Sequence, residues 1–468
     1  MLYKNEKLEE FNRFIEGKKI AIIGMGVSNI PLLDYFYEHH VKVTVFDNRE
    51  LEQIDENAIQ KINQYQMLYY FGKDNLKHLQ NFDMLFRSPS AMPFIPEIEA
   101  EVERGAILTS EIEMVMKLTP SKVIGITGTE GKTTTTTIIS EIMKKAGYRY
   151  FLGGNIGTPL FTQIKDMRPE DFVILEMSSF QLMNMEESPD IAIITNIFPD
   201  HLNIHRSYEE YREAKTNIFK QQSSTGIIVL NYDNEYTRAF AKQAPGKVIF
   251  FSSKEKLEDG YIYDAQDEKI KYCKDGVRRH ILDRKDIKLR GIHNYENICA
   301  AIAATSSIVD TQTQIEAIKA FKGVEHRLEF VREIEGVKWY NDSIGTSPAS
   351  TISGLKAFEE NIILLAGGSD KGLDYTQVGE AIAERVGILI LMGVTAPKIE
   401  EATQKALLKT GKTMPIYHCN TFEEAVNLAK EKAQKGDIVL LSPASASFDM
   451  FKNFAQRGDY FKQLVNEL

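Results

Sequence analysis

The chain has 468 residues, 43% hydrophobic and 26% charged, and 56 basic against 66 acidic side chains leave a formal net charge of −10. That balance excludes disordered and fibrous classes and fits a globular protein of two to four domains, at roughly 100–200 residues each. The charges are mixed, with no basic stripe for nucleic acid, no apolar run of the ~18 residues a membrane span needs and no apolar leader, so a cytoplasmic protein is expected.

Short apolar runs alternate with helical patterns along the whole length, which predicts an α/β fold built on parallel sheets. Three blocks follow one another: residues 1–115, 116–323 and 324–468. The first opens with the strand run Lys19-Ile-Ala-Ile-Ile23 and the turn Gly24-Met-Gly26. A helix, a second strand ending at Asp47 and a later strand at Asp83–Phe86 complete a Rossmann-like pattern. Asn29 stands where a dinucleotide fingerprint has its third glycine, so the turn alone is weak evidence for a nicotinamide cofactor. Ser110-Glu-Ile-Glu113 reads as a capping box, and Thr119-Pro-Ser121 as a linker.

The second block begins with the strand Lys122–Ile126 and the loop Thr127-Gly-Thr-Glu-Gly-Lys-Thr-Thr134, ahead of a helix that runs to about Gly147. Glycines between a strand and a helix let backbone N–H groups and the helix dipole meet phosphate oxygens. Lys132 would reach the β/γ-phosphates and Thr133 would ligate Mg²⁺. Ile126 replaces the first glycine of the strict phosphate-loop pattern, so this is a variant loop. Further strands are expected at Phe172–Leu175, Ile191–Ile194 and Gly226–Leu230. Glu176 and His201 then fall just beyond strand ends, where ligands of parallel sheets collect. Taken singly, Glu176, His201 and Lys215 read as ordinary charged or loop residues. Ser207-Tyr-Glu-Glu210 is a second capping box. From about Ser252 to Leu289, small β-structure is inserted before a helix starting near Asn294. Strands at Val337–Tyr340, Ile362–Leu365, Ile388–Leu391 and Ile438–Leu441 predict a second Rossmann-like domain in the third block. Cys273, Cys299 and Cys419 are odd in number and far apart, which reads as reduced thiols.

The phosphate loop, Gly153-Gly-Asn-Ile-Gly157, Glu176-Met-Ser-Ser-Phe-Gln181, Asp200-His201, Lys215, His293-Asn-Tyr-Glu-Asn297, Glu325-His-Arg327, Asn341-Asp-Ser343 and the segment Leu441–Phe454, in this order and spacing, resemble the Mur ligase family, closest to its D-glutamate-adding members. The resemblance implies a three-domain enzyme: a UDP-sugar-binding Rossmann-like domain, a central P-loop ATPase-like domain and a C-terminal amino-acid-binding Rossmann-like domain. It implies that ATP activates the terminal carboxylate of UDP-N-acetylmuramoyl-L-alanine as an acyl phosphate, which D-glutamate attacks, in peptidoglycan precursor synthesis. Lys132, Glu176, His201 and Lys215 would be catalytic. Two Mg²⁺ ions would be held by Thr133, Glu176, His201 and Lys215, the last as a carbamate. ATP would meet Thr129, Glu130, Gly131, Lys132, Thr133, Thr134, Thr135, Asn294, Asn297, Arg327 and Asp342. The UDP-sugar would meet Val27, Ser28, Asp47, Asn48, Arg49 and Asn155, and D-glutamate would meet Thr346, Lys371, Ser447 and Phe454. A monomer acting on small molecules, with neither nucleic-acid partner nor membrane insertion, is expected.

The sequence departs from the family pattern twice: Ile344-Gly345-Thr346 replaces Lys-Ala-Thr, and Ser90 replaces the glycine of Ser-Pro-Gly. A related Mur-type or folylpolyglutamate-type ligase for another amino acid is the alternative within the class. An oxidoreductase built on the Gly24–Asp47 unit would leave the phosphate loop unexplained, and an ATP-hydrolysing switch would need no carboxylate substrate.

Overall fold

The structure is a computed structural model and describes residues 3–201, 204–370 and 372–468. The chain forms two compact units, one running to Ile287 and including Ile292–Phe321, the other made of Lys288–Gly291 and Lys322–Leu468.

The first unit contains two sheets. Its N-terminal sheet has five parallel strands in the order Leu68–Phe71, Lys42–Asp47, Lys19–Ile23, Met84–Arg87, Ile107–Thr109. The central strands are buried on both faces, Ile20, Ala21 and Ile22 being fully covered, as the unbroken apolar run of a helix-covered parallel strand requires. The middle sheet has nine strands. Lys122–Thr127 lies between Phe172–Glu176 and Ile191–Ile194, all parallel, so the phosphate loop, Glu176 and the segment after Ile194 leave one edge together.

The expected inserted β-structure is a continuation of this sheet. Gly260–Asp264 pairs parallel with Lys247–Ser252, and two antiparallel strands, Lys269–Lys274 and Val277–Asp283, extend the edge. Its polarity is that of an edge with an exposed outer strand, as at Val277–His280.

The two sheets of this unit are joined through buried polar contacts. Glu111 Oε1 accepts N–H bonds from Leu160 (2.8 Å) and Phe161 (2.9 Å), and burial against those bonds pushes its carboxyl up to about 7. Phe161 packs edge-on against Phe11, Tyr35 and Phe86. Ser110 caps its helix by accepting from the Glu113 N–H at 3.3 Å. The reciprocal half of the box is absent, because Glu113 turns to the Glu186 N–H and the Thr109 hydroxyl. Ser207 likewise caps Tyr208–Lys220, while Glu210 accepts from the Arg206 N–H instead of from the capping residue.

The second unit is a six-stranded sheet in the order Glu329–Ile334, Val337–Asn341, Ile438–Leu441, Ile362–Ala366, Val386–Leu391, Ile416–His418, parallel except for its first pair. Apolar clusters cover both faces, one around Leu364 and Leu440, the other around Trp339 and Phe461. No helix among the described residues is long and apolar enough to cross a membrane.

Candidate functional site

The expected loop is present between the strand Lys122–Thr127 and the helix Lys132–Lys145. Gly128 and Gly131 have φ of 149° and 80°, and a Cβ on either would meet Thr195 Oγ1 at 1.9 Å or Asn297 Oδ1 at 2.3 Å. Both positions therefore require glycine. Two lysines converge on this loop. Lys132 Nζ donates to the carbonyls of Gly128 (3.0 Å) and Thr129 (2.7 Å). Lys215 Nζ donates to the same Gly128 carbonyl at 2.9 Å. Lys215 is 2% exposed and lies over the Tyr211 ring. Burial, and then the charge of Lys132, hold its ammonium pKa well below the usual range, against the pull of Asp200 and Glu176.

Glu176 ends its strand 1% exposed. Its Oε1 accepts from Asn155 Nδ2 at 2.8 Å, and the Asn155 backbone N–H donates to the Glu176 carbonyl. Oε2 is buried without a hydrogen-bond partner. A buried carboxylate oxygen left so costs free energy unless something fills the position.

His201 sits half-exposed at φ 54°, a conformation few non-glycine residues adopt. Its ring is 5.1 Å from that of Phe180. Sequence reasoning missed His205, which stacks on the same Phe180 at 5.0 Å and meets Ser179 Oγ at 3.0 Å through Nε2. Its signal was the spacing of two histidines in Asp200–His205. Tyr211, also missed, meets the Thr129 hydroxyl at 2.8 Å.

Of the other expected ATP contacts in this unit, Glu130 is exposed, and Thr133 and Asn294 are half-buried. Thr134 and Thr135 are buried, with the Thr135 hydroxyl turned inward without a partner. Asn297 packs under Gly131 and donates to Asn294 Oδ1 at 3.4 Å.

The N-terminal glycine turn is closed differently. Asp47 accepts from the Met25 N–H (2.7 Å), the Arg49 N–H (2.9 Å) and the Arg49 guanidinium (2.8 and 2.9 Å). Val27 and Asn48 are exposed and Ser28 is half-buried. Asn29 is fully buried; its amide nitrogen donates to the Gly24 carbonyl and its Oδ1 is left without a partner. Ser90 meets Ser88 Oγ at 2.9 Å, and Ser88 lies against Gly24.

In the second unit, Asp342 accepts from Ser442 Oγ (2.7 Å) and the Leu328 N–H, and burial raises its carboxyl to about 6. Arg327 is half-buried and attracts it electrostatically. Ile344 donates its N–H to the His326 carbonyl, and Thr346 donates to the Ile344 carbonyl. Ser447 is buried, and Phe454 begins the last helix. The missed residue here is Arg457, which binds Ser343 and the carbonyls of Ser445 and Ala446. Lys371 lies outside the described residues. Glu325, His326 and Asp459 bring ligating atoms within 4.8 Å of one another, but Lys462 already pairs with both acids.

Family models match the chain in three consecutive segments: the MurD-like N-terminal domain over residues 18–110, the Mur ligase middle domain over 126–305 and the Mur ligase glutamate ligase domain over 326–445. The chain is 46% identical to the UDP-N-acetylmuramoylalanine–D-glutamate ligase of Ruminiclostridium cellulolyticum, over 99% of this chain and 100% of that one. The chain belongs to the Mur ligase family.

Another relative of the same name, from Clostridium tetani, is 43% identical over 99% of this chain and all of its own length. Two solved Mur ligases from Thermotoga maritima share the fold. The UDP-N-acetylmuramate–alanine ligase has a TM-score of 0.58 at 19% identity, covering 96% of this chain and 99% of its own. The MurF ligase in complex with ADP has a TM-score of 0.55 at 19% identity, covering 91% and 96%. As in other Mur ligases, the three domains follow in the order N-terminal, middle, C-terminal. The buried Glu176 oxygen without a partner is a donor of the kind that a hard divalent cation takes.

Proposed function

We propose that this Mur ligase joins D-glutamate to UDP-N-acetylmuramoyl-L-alanine at the expense of ATP, in peptidoglycan precursor synthesis in the cytoplasm. The observation that carries the chemistry is the convergence of Lys132 and Lys215 on the one Gly128 carbonyl. The Lys132 ammonium and the buried Lys215 nitrogen on one loop carbonyl suit a place where phosphate oxygens and their counter-ion come to rest. The full-length likeness to ligases of that name supports the choice of substrates.

An oxygen of the UDP-linked alanine carboxylate attacks the γ-phosphorus, and ADP leaves. The D-glutamate amine then attacks the carbonyl carbon of the acyl phosphate. The tetrahedral intermediate expels phosphate, the nitrogen loses a proton, and an amide remains. Lys132 neutralises the charge passing between nucleotide and carboxylate. Asn155, held on Glu176, orients the carboxylate. Thr133, Glu176, His201 and Lys215 would hold Mg²⁺, which when bound supplies charge neutralisation to the phosphates. Lys215 suits that part because burial favours its neutral amine. The amine lone pair can add to the carbon of CO₂, with loss of a proton, to give an anionic carbamate oxygen.

We assign the remaining loop residues, Asn294, Asn297, Arg327 and Asp342 to ATP. Val27, Ser28, Asp47, Asn48 and Arg49 fall to the UDP-sugar, and Thr346, Lys371, Ser447 and Phe454 to D-glutamate. We assign domain boundaries at 115/116 and 323/324. The enzyme is taken to act as a monomer.

The test is phosphate release from ATP with UDP-N-acetylmuramoyl-L-alanine and each of several amino acids. D-glutamate should give the fastest release. Release no faster than without an amino acid would refute the assignment.

A further inference from the structure

The first unit buries an arginine that the proposed reaction does not use. Arg87 ends the strand Met84–Arg87 and is 1% exposed. Its Nε donates to Asn184 Oδ1 at 2.6 Å, and one terminal nitrogen donates to the Phe180 carbonyl at 2.7 Å. The other terminal nitrogen donates to the carbonyls of Ala91 (3.2 Å) and Ser88 (3.4 Å). These acceptors belong to two segments far apart in sequence. Ser88 and Ala91 frame the loop that closes on the Gly24 turn. Phe180 and Asn184 belong to the short turn that follows Glu176, and the Phe180 ring faces His201 and His205. Glu113 attracts the guanidinium electrostatically. A buried guanidinium is costly to desolvate, and a rigid fork of five donors is suited to hold several carbonyls in fixed relative positions.

We propose that Arg87 is a positioning residue that locks the Ser88–Ala91 loop of the N-terminal domain to the Phe180–Asn184 turn of the middle domain, so that occupancy of the UDP-sugar site is felt at Glu176 and His201. The inference rests on the D-glutamate ligase reading for the identity of the ligand. Arginine is required because a lysine ammonium cannot span acceptors on both segments in one plane. The lock sets where the reacting carboxylate lies relative to the phosphate loop, and a misplacement of about 1 Å there costs about a hundredfold in rate.

Amide hydrogen exchange of the whole chain, with UDP-N-acetylmuramoyl-L-alanine alone and no ATP or metal, tests the lock without relying on turnover. In the native protein the ligand should slow exchange across residues 177–184. Arg87→Met should still bind the ligand, but the slowing at 177–184 should vanish, while kcat falls about ten- to a hundredfold at unchanged KM for ATP. Arg87→Lys should recover only part of either signal. Should Arg87→Met fail to fold, Asn184→Ala, which removes one acceptor and leaves the arginine, should show reduced slowing. A folded variant with native slowing and native kcat would overturn the proposal. So would slowing in the native protein confined to the N-terminal domain. A native chain that binds no UDP-N-acetylmuramoyl-L-alanine at all would instead bring down the functional assignment, and the lock with it.

Discussion

Two glycine turns of the first unit start from the same plan and end in opposite electrostatic states. Each follows the C-terminal end of a central parallel strand and leads into a helix, one at Gly24–Gly26, the other at Gly128–Gly131. At the first, Asp47 is saturated: its two oxygens take N–H bonds from Met25 and Arg49 and the Arg49 guanidinium. At the second, two lysines crowd one carbonyl, and the neighbouring Glu176 keeps a buried oxygen without a partner. The first turn has its carboxylate fully hydrogen-bonded and leaves only a neutral amide oxygen, Asn29 Oδ1, buried without a partner. The second leaves a carboxylate oxygen so, beside two lysines, and that unsatisfied charge is what ligand chemistry can draw on.

Substitutions at the second turn should therefore abolish chemistry and those at the first should weaken binding. Lys132→Met should lower kcat about a thousandfold, the upper end for removing a group that stabilises developing charge, with the native melting temperature kept. Lys215→Ala should lower it by a few hundredfold, and short carboxylic acids added in the assay should restore part of the loss. Unchanged activity would remove Lys215 from the site.

Glu176→Gln should lower kcat about a hundredfold. It should also make the protein more stable to denaturant by about 1 kcal/mol, since a neutral amide replaces a buried carboxylate oxygen without a partner. A loss of both stability and activity would mean that Glu176 is structural. Asp47→Asn should raise KM for the UDP-linked substrate about tenfold at constant kcat, the value of one charge-assisted bond.

The pH dependence of the last variant sharpens the comparison. Burial acts to raise the Asp47 carboxyl pKa, but the bonds from Arg49 and Met25 outweigh it and set the value below the ordinary 3.8. The stabilisation is therefore fully present above 3.8 and is lost as pH falls through the lower folded value. The stability gap between native protein and Asp47→Asn, measured by denaturant unfolding, should narrow over that acid range and nowhere higher.

Much of the architecture was readable because the central strands are unbroken apolar runs: Lys122–Thr127, Phe172–Glu176 and Ile438–Leu441 all fall where periodicity puts them. The edge strand Leu68–Phe71 was not, since its side chains are exposed or half-buried and carry no burial pattern. The phosphate loop declared itself by its glycines. Glu176 was marked only by its place at a strand end, and Lys215 only by the resemblance, because nothing local distinguishes a buried lysine on a helix from a surface one. Arg87, His205 and Arg457 act by long-range contacts to backbone carbonyls and rings, which no spacing along the chain encodes.

The central claim is that a carboxylate oxygen passes through an acyl phosphate. It is tested most directly by supplying UDP-N-acetylmuramoyl-L-alanine with its carboxylate labelled with heavy oxygen and analysing the released phosphate by mass spectrometry. Each phosphate should carry one labelled oxygen from the substrate when D-glutamate is present. Phosphate whose new oxygen comes only from water would contradict the account.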